Sequence, residues 1–372
     1  MRRDRLREDD MVGVLEDLVM TETPSNDGTL IKAGIGMTAA LVRRLLGETA
    51  ETVEVDGRPH LRLRGGSANP VLVLCHLDTV WPAGTTRRWP FHVADGRASG
   101  PGVFDMKAGL VQALYALRSV GCADRVTLLI TSDEEIGSPS SRALIEEEAR
   151  GCRAALVFEP SANGALKTAR KGTSMYRLLV EGRAAHAGLE PQRGVNALVE
   201  LAHQVQALAA LGDASVGTSV TPTTASAGTT MNTVPASALV DVDVRAWTAE
   251  EQSRVHEALS RLRPVLPGAA LHLTGGVNRP PLESEQSATL ADLADRCAQR
   301  LGLPPLGRAE VGGASDGNFT AALGVPTLDG LGAVGGNAHA EGEYVDTRLL
   351  GERAELICAV LEELTADDWG AE

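Results

Sequence analysis

The sequence predicts an α/β protein with a mostly parallel sheet and a smaller α+β domain inserted into it. Three observations carry this. In the first half of the chain, short apolar runs of strand length alternate with helix-like segments, as in a parallel sheet. From about Lys171 the pattern turns to strict apolar–polar alternation, the mark of an antiparallel sheet with one wet face. From about Arg279 the strand–helix alternation returns. The expected division is therefore residues 1–170 and 279–372 in the larger domain and 171–278 in the inserted one.

The elements follow in order. "VLVLCHL", Val71 to Leu77, reads as a buried strand. A helix is expected from Asp105 as N-cap, with Leu110, Leu114 and Leu117 at helical spacing and Gly121 at its end. "VTLLITS" is again a strand. Ser138-Pro139 then opens a helix, with proline at its first position. "AALVFEP", Ala154 to Pro160, is the next buried strand. "MYRLLVEGRAAHAG" and "SALVDVDVRAW" supply the alternating strands of the inserted domain. Two helices lie among them. One carries Val195, Leu198, Val199, Ala202 and Val205. The other starts at Thr248, with Glu251 three residues on, a capping box.

The bulk properties exclude several function classes. A chain of 372 residues with 43% apolar content can bury one large core or two ordinary ones. A net charge of −14 argues against nucleic acid, which takes a basic face. The N-terminal "MRRDRLREDDMVGVLEDL" has no apolar h-region, so no secretory leader is expected. No apolar run is long enough for a membrane span. Five scattered cysteines without a C-x-x-C pair fit a reduced, cytoplasmic protein.

The chemistry concentrates where strands end. "VTLLITSDEEIGS" closes a core strand with three carboxylates, Asp133, Glu134 and Glu135. Like charges at contact distance destabilise one another unless a cation neutralises them. In "LCHLDTV", His76 and Asp78 stand two apart and share one side of a strand. They read as a polar strand end, or as a metal ligand with the group that fixes its ring. Taken singly, Asp105 in "GPGVFDMKAGL" reads as a helix cap, Glu159 in "FEP" as a solvated strand end, and His339 in "GGNAHAEGEY" as a loop residue. Together His76, Asp105, Asp133 to Glu135 and Glu159 lie at or beyond the C-terminal ends of strands, the edge where open α/β sheets build sites. Two histidines with several carboxylates suit zinc or a similar divalent ion. Five ligands exceed the needs of one tetrahedral ion and fit two ions sharing a carboxylate. One glutamate of the pair can then bind metal while its neighbour handles protons. "GLGAVG", Gly330 to Gly335, matches a dinucleotide fingerprint literally but runs into loop instead of opening a helix, so it reads as coincidence.

With these residues in place the sequence resembles the zinc-dependent aminoacylase and carboxypeptidase superfamily, most closely its glutamate carboxypeptidase (carboxypeptidase G) branch. "CHLDTVWP", "GPGVFDMKAG", "SDEEIGS", "VFEP", "AAHAG", "MNTVPASALVDVDVR" and "GGASDGNF" fall in the family's order between about Leu15 and Leu361. The resemblance implies a three-layer catalytic domain with an inserted dimerisation or lid domain, and a homodimer. It implies that Asp105 bridges two divalent metals, zinc first among them. His76 and Glu159 would complete one site, and Glu135 and His339 the other. Glu134 would be the general base and Asp78 would orient His76. The resemblance implies no role for Asp133. His186 would donate a hydrogen bond to the oxyanion from a second subunit. The valines of "LVDVDVR" take one strand face, leaving Asp241, Asp243 and Arg245 on the other, which by itself reads as a salt-bridged sheet face. The resemblance implies instead that Arg245, with Asn232, holds the substrate's α-carboxylate. Gly312 and Gly313 would let substrate approach the backbone closely. Lys167, eight residues after Glu159, stands where the family grips a glutamate side chain, with Arg279 as a further candidate. Ala169 occupies the place of that grip's serine. The expected activity is release of an amino acid with a free carboxylate, possibly C-terminal glutamate, from a small peptide or N-acyl amino acid. The alternatives are an N-acyl amino acid deacylase of the same superfamily, a non-catalytic binding protein on the same scaffold, and a nucleotide-binding oxidoreductase resting on "GLGAVG".

Overall fold

The computed structural model describes residues 6–367 and 369. The first five residues of the charged N-terminal segment lie outside them. The chain runs through α1 (Glu8–Met20), α2 (Gly28–Leu46), β1 (Glu51–Val55), β2 (Arg58–Arg64), β3 (Val71–His76), α3 (Ala108–Val120), β4 (Val126–Thr131), α4 (Arg142–Ala149) and β5 (Ala154–Val157). Then come β6 (Gly172–Glu181), α5 (Ala197–Ala209), β7 (Ser219–Ala227), β8 (Ser237–Ala246), α6 (Ala249–Ser260) and β9 (Ala270–Arg279). It closes with α7 (Ser284–Leu301), α8 (Gly317–Ala322), β10 (Thr327–Leu328) and α9 (Leu350–Leu364).

These elements form two compact units. The first comprises 1–169, 283–311 and 315–372, and the second 170–282 with 312–314. In the first unit the main sheet has the order β1-β2-β4-β3-β5-β10. Strands β4, β3, β5 and β10 run parallel, and β1 and β2 join antiparallel at one edge. Every residue of β3 is buried, as a strand covered on both faces requires. Val71, Val73 and Cys75 pack into the large cluster that includes α1, α2, α3, α7 and α9. Leu72 and Leu74 face the opposite cluster, with Leu144 and Ile145 of α4 and Phe319 of α8. That alternation produces three layers, helices on each side of one sheet.

The second unit is an antiparallel sheet, β7-β8-β6-β9. Along β8 every second residue is buried, so Ala238, Val240, Val242 and Val244 meet Leu201 and Leu208 of α5 and Val255 and Leu259 of α6. Thr248 caps α6 by accepting the Glu251 N–H, as its spacing predicts.

Three sequence expectations need correcting. Helix α3 begins at Ala108, not at Asp105, whose φ of −111° and ψ of 97° are non-helical. Its carboxylate faces two histidines instead of capping the helix. Helix α4 begins at Arg142 and not at Pro139. Ser138, Ser140 and Ser141 give their hydroxyls to buried carboxylates, and Ser138 takes a φ of 57°, which no helix accommodates. On α5, Leu198 and Val199 are 49% and 43% exposed. The face that packs is Ala197, Leu201, Gln204 and Leu208, one residue round from the predicted stripe.

Candidate metal centre

Three parallel strands of the first unit, β4, β3 and β5, end near one another, β5 two residues short of β3. His76 pairs with Thr131 and Leu74 with Val157, so the three C-terminal ends share one edge. His76 is the last residue of β3. Glu134 and Glu135 occupy a 3₁₀ turn just after β4, closed by Gly137 at a φ of 90°. Glu159 lies two residues beyond β5. Gly332 packs beneath it. A Cβ there would stand 2.4 Å from the Phe158 carbonyl oxygen and 2.7 Å from that of Glu159, which only glycine avoids. The "GLGAVG" segment is therefore a close backbone support for Glu159, and it runs into a short strand at Gly335–Gly336 without opening a helix.

Five predicted ligands converge at this edge. His76 Nε2 lies 3.2 Å from Asp105 Oδ1 and 3.4 Å from Glu159 Oε1. His339 Nε2 lies 3.3 Å from Asp105 Oδ2 and 3.2 Å from Glu135 Oε2. Asp105 thus turns one oxygen to each histidine. Ligand atoms of His76, Asp105 and Glu135 lie within 4.8 Å of one another, and so do those of His76, Glu134 and Glu159. The residues fit divalent ions on their own evidence. Glu135 Oε1 is buried without a hydrogen-bond partner, and burial pushes this carboxyl up to about 7. The Asp105 and Glu135 carboxylates push His339 up to about 10. His76 is raised well above its ordinary value: burial opposes protonation, and Asp105, Asp78 and Glu159 override it. Asp105 lies well below the usual carboxylate range; burial raises it, but His339 and His76 outweigh that. A set this acidic is neutralised by protons on its histidines or by bound cations.

Asp78 serves this edge through its neighbours. The His76 Nδ1–H donates to the Asp78 backbone oxygen at 3.0 Å, and the carboxylate stands at 3.6 Å, beyond a hydrogen bond. That carboxylate accepts the backbone N–H groups of Glu134 and Glu135, each at 3.2 Å, and the Ser25 hydroxyl at 2.7 Å. Asp133, to which the sequence assigned nothing, accepts N–H and hydroxyl from both Ser140 and Ser141. It clasps the far end of the 3₁₀ turn. Asp316 of "GGASDGNF" accepts from Thr131 and Ser138 in the same buried layer. The spacing of "SDEEIGSPSS" contained the serine clasp, but serines near a helix start read equally well as caps.

His60 completes that layer. Ser140 gives its hydroxyl proton to Asp133, so it must accept from His60 Nε2–H, at 3.1 Å. His60 Nδ1 is buried without a partner, and burial lowers this imidazole's pKa against the pull of Asp133 and Asp316. Its contribution to stability is complete above the unfolded value of about 6.5 and is lost as pH falls from there toward the folded value. His60→Gln keeps a donor for Ser140 but does not titrate. Between pH 7.5 and pH 5 the wild type should lose up to about 1.4 kcal/mol per pH unit more than this variant. Thermal unfolding midpoints at the two pH values check it, and parallel losses would refute it.

The remaining predicted residues divide between the units. Lys167 belongs to the first, and its charge lowers the pKa of Asp105. In the second, His186 pairs with Thr233, and Ala187 N–H donates to the Asn232 carbonyl, so His186 and Asn232 are neighbours. His186 Nδ1 accepts from Gly188 and Leu189, which leaves the proton on Nε2. Arg245 forms a bidentate pair with Asp243, as the sheet-face reading expects. Gly313 accepts from the buried Arg170.

Comparison with known proteins gives a consistent picture. The family model described as peptidase family M20/M25/M40 matches residues 72–363. Carboxypeptidase G2 of Pseudomonas sp. (strain RS-16) is 31% identical over 373 residues, covering 96% of this chain and 89% of its own. Succinyl-diaminopimelate desuccinylase of Herminiimonas arsenicoxydans is 27% identical over 82% of this chain and 87% of its own. Among solved structures, aminopeptidase PepT from Bacillus cereus superposes with a TM-score of 0.74 at 22% identity, over 97% of this chain and 100% of the other.

Proposed function

The chain belongs to the peptidase family M20/M25/M40, and from that premise we propose that it is a two-metal carboxypeptidase releasing an amino acid with a free carboxylate, C-terminal glutamate first among them. The observation that carries this reading is Asp105, which turns one oxygen to His76 and the other to His339. Two divalent cations, zinc first among them, would supply the positive charge that brings the pKa of water toward neutrality and polarises an amide carbonyl. His76, Glu159 and Asp105 would hold one, and Asp105, Glu135 and His339 the other. Glu134 takes a proton from the attacking water and returns it to the departing amine. Its backbone N–H is held by Asp78, as is that of Glu135, so base and ligand keep a fixed relation. In this reading the second unit recognises substrate. His186 offers Nε2–H to the developing oxyanion from a partner subunit. Arg245 exchanges Asp243 for the substrate's α-carboxylate, assisted by Asn232 and by the open backbone at Gly313.

Lys167 grips the side-chain carboxylate of glutamate. A charged hydrogen bond of this kind is worth about 1.5–3 kcal/mol. Lys167→Ala should therefore cut the ratio of kcat/KM for N-acyl glutamate over N-acyl neutral amino acids by about 10- to 100-fold. An unchanged ratio would remove Lys167 from this role. Ala169, which is buried and has no hydroxyl to offer, favours a second reading, an N-acyl amino acid deacylase. A wild type that prefers N-acetylated neutral or basic amino acids would establish that second reading.

A homodimer through the second unit belongs to the same proposal. Strand β7 is an edge of its sheet, and Leu198 and Val199 stand exposed on α5. Sedimentation velocity should find a dimer, and Leu198→Glu with Val199→Glu should shift it to monomer. A cytoplasmic setting suits the five free, buried cysteines. Among the described residues no helix is long and apolar enough to cross a membrane.

A further inference from the structure

Glu343 is fully buried four residues beyond His339, and neither sequence spacing nor the metal centre assigns it a role. Its carboxylate accepts four hydrogen bonds. Oε1 takes the backbone N–H of Phe104 at 2.8 Å and of Asp105 at 2.9 Å. Oε2 takes the backbone N–H of Gly102 at 2.9 Å and the indole N–H of Trp81 at 2.8 Å. A carboxylate has about four lone-pair positions, so this one is filled and has none to spare for a metal. Glu343 is therefore no sixth ligand.

Its four donors come from two segments that each follow a ligand or contain one. Gly102, Phe104 and Asp105 form the turn that aims the bridging carboxylate, and Trp81 lies five residues after His76. Glu343 itself is tied to the His339 segment. Its N–H donates to the Ala340 carbonyl, and the Ala340 N–H donates to that of Asn337. The Asn337 side chain donates to the Gly342 carbonyl at 3.1 Å, which closes the loop on itself. His339 is half exposed at the tip of this loop, at a φ of 62°. The Glu343 carboxylate is the side-chain tie between the loop of one histidine, the turn of the bridging aspartate and the segment that follows the other histidine.

We propose that Glu343 is the positioning residue of the dinuclear centre, setting the register between His339 and the second oxygen of Asp105. The inference rests on the two-metal reading above. Its physical basis is the uniform polarity of the surroundings: four N–H donors converge and no acceptor is among them. Only a carboxylate satisfies all four. Glutamine, of the same size, would set its NH₂ against either the Phe104 and Asp105 pair or the Gly102 and Trp81 pair. Either placement leaves donors unpaired in a buried site and pushes the turn away. The second metal position, shared by Asp105, Glu135 and His339, depends most on this tie, because Glu135 and His339 come from different loops. His76 instead ends a paired strand and Glu159 follows one by two residues, so both need it less.

The test titrates the metal-free full-length chain with cobalt(II), reading stoichiometry by calorimetry and ligand geometry by visible absorption. Wild type should take two equivalents. Glu343→Gln should keep one equivalent near wild-type affinity, weaken the second by about 10- to 100-fold, and alter the visible bands. Glu343→Asp, which retains the charge, should recover part of the second affinity. Trp81→Phe, which removes one donor of four, should weaken the second ion less than Glu343→Gln does. Two equivalents bound by Glu343→Gln with wild-type affinities and an unchanged spectrum would overturn the role. If Glu343→Gln does not fold, Glu343→Asp is read against wild type: unequal affinities support the tie, and wild-type affinities overturn it. A wild type that binds fewer than two ions would instead refute the two-metal reading itself.

Discussion

Glu134→Gln should lower kcat by about 10² to 10⁴-fold while two metal equivalents stay bound. Glutamine keeps the size of the side chain and removes its basicity. The backbone N–H groups of residues 134 and 135 both donate to Asp78, so the Glu135 carboxylate should stay in place. KM should change little, since the lost interaction belongs to proton transfer in the transition state. Glu134 and Glu135 are adjacent and both have an oxygen near His76, so the complementary variant decides between them. Glu135→Gln should lose one metal equivalent, because the raised carboxyl and its unpartnered Oε1 mark it as the group awaiting a cation. Metal analysis of both purified variants checks the assignment. Metal loss in Glu134→Gln with retention in Glu135→Gln would mean that base and ligand are exchanged.

Asp105→Asn should have the larger effect on the centre as a whole. The aspartate presents a charged oxygen to each histidine. An amide presents one oxygen, uncharged, and an NH₂ that repels a cation. One of the two proposed positions would therefore lose its ligand. The expected result is a fall from two tightly held equivalents to one or none, and a drop in kcat/KM on the order of 10⁴-fold, the size of several kcal/mol of lost charge stabilisation. In the same variant the pKa of His339 should fall from about 10, since Asp105 is the first of the groups that raise it. Proton NMR of the metal-free imidazole follows that shift directly. Full activity with two equivalents bound would rule out the shared-carboxylate centre.

His76, Glu135 and Glu159 were open to a sequence reading as a candidate set because each sits where a strand pattern stops, whereas Asp105 and His339 lie in a turn and a loop that only the fold brings to the same edge. Hydrophobic runs such as Val126–Thr131 announce buried strands, and the polar residues that end them have one edge to occupy. The support beneath the ligands was not legible. Asp133 meets two serines seven and eight residues on, Asp316 meets Thr131 across 185 positions, and Glu343 meets Trp81 across 262. None of these spacings is periodic, and half of the partners are backbone N–H groups that every residue carries. Asp78 shows the same limit. Its two-residue step from His76 suggested a ring partner, and its backbone oxygen does hold the ring with the carboxylate 3.6 Å away; that the carboxylate also takes the amides of Glu134 and Glu135 follows only from the parallel pairing of β3 and β4.

By itself, then, the sequence determined the layering, because alternation and run length state how many faces of a strand are buried. It also determined which side chains end the strands, and hence the metal chemistry on offer. The tertiary structure alone decided which oxygen of Asp105 faces which histidine, where α3 and α4 begin, and which face of α5 packs. Those outcomes depend on which segments the fold brings together: Ser138 meets Asp316 across 178 positions, Asp105 stands between His76 and the much later His339, and α5 turns its face to the sheet of its own unit. There, satisfying a buried carboxylate or N–H outweighs the local preference for a cap or a helix start.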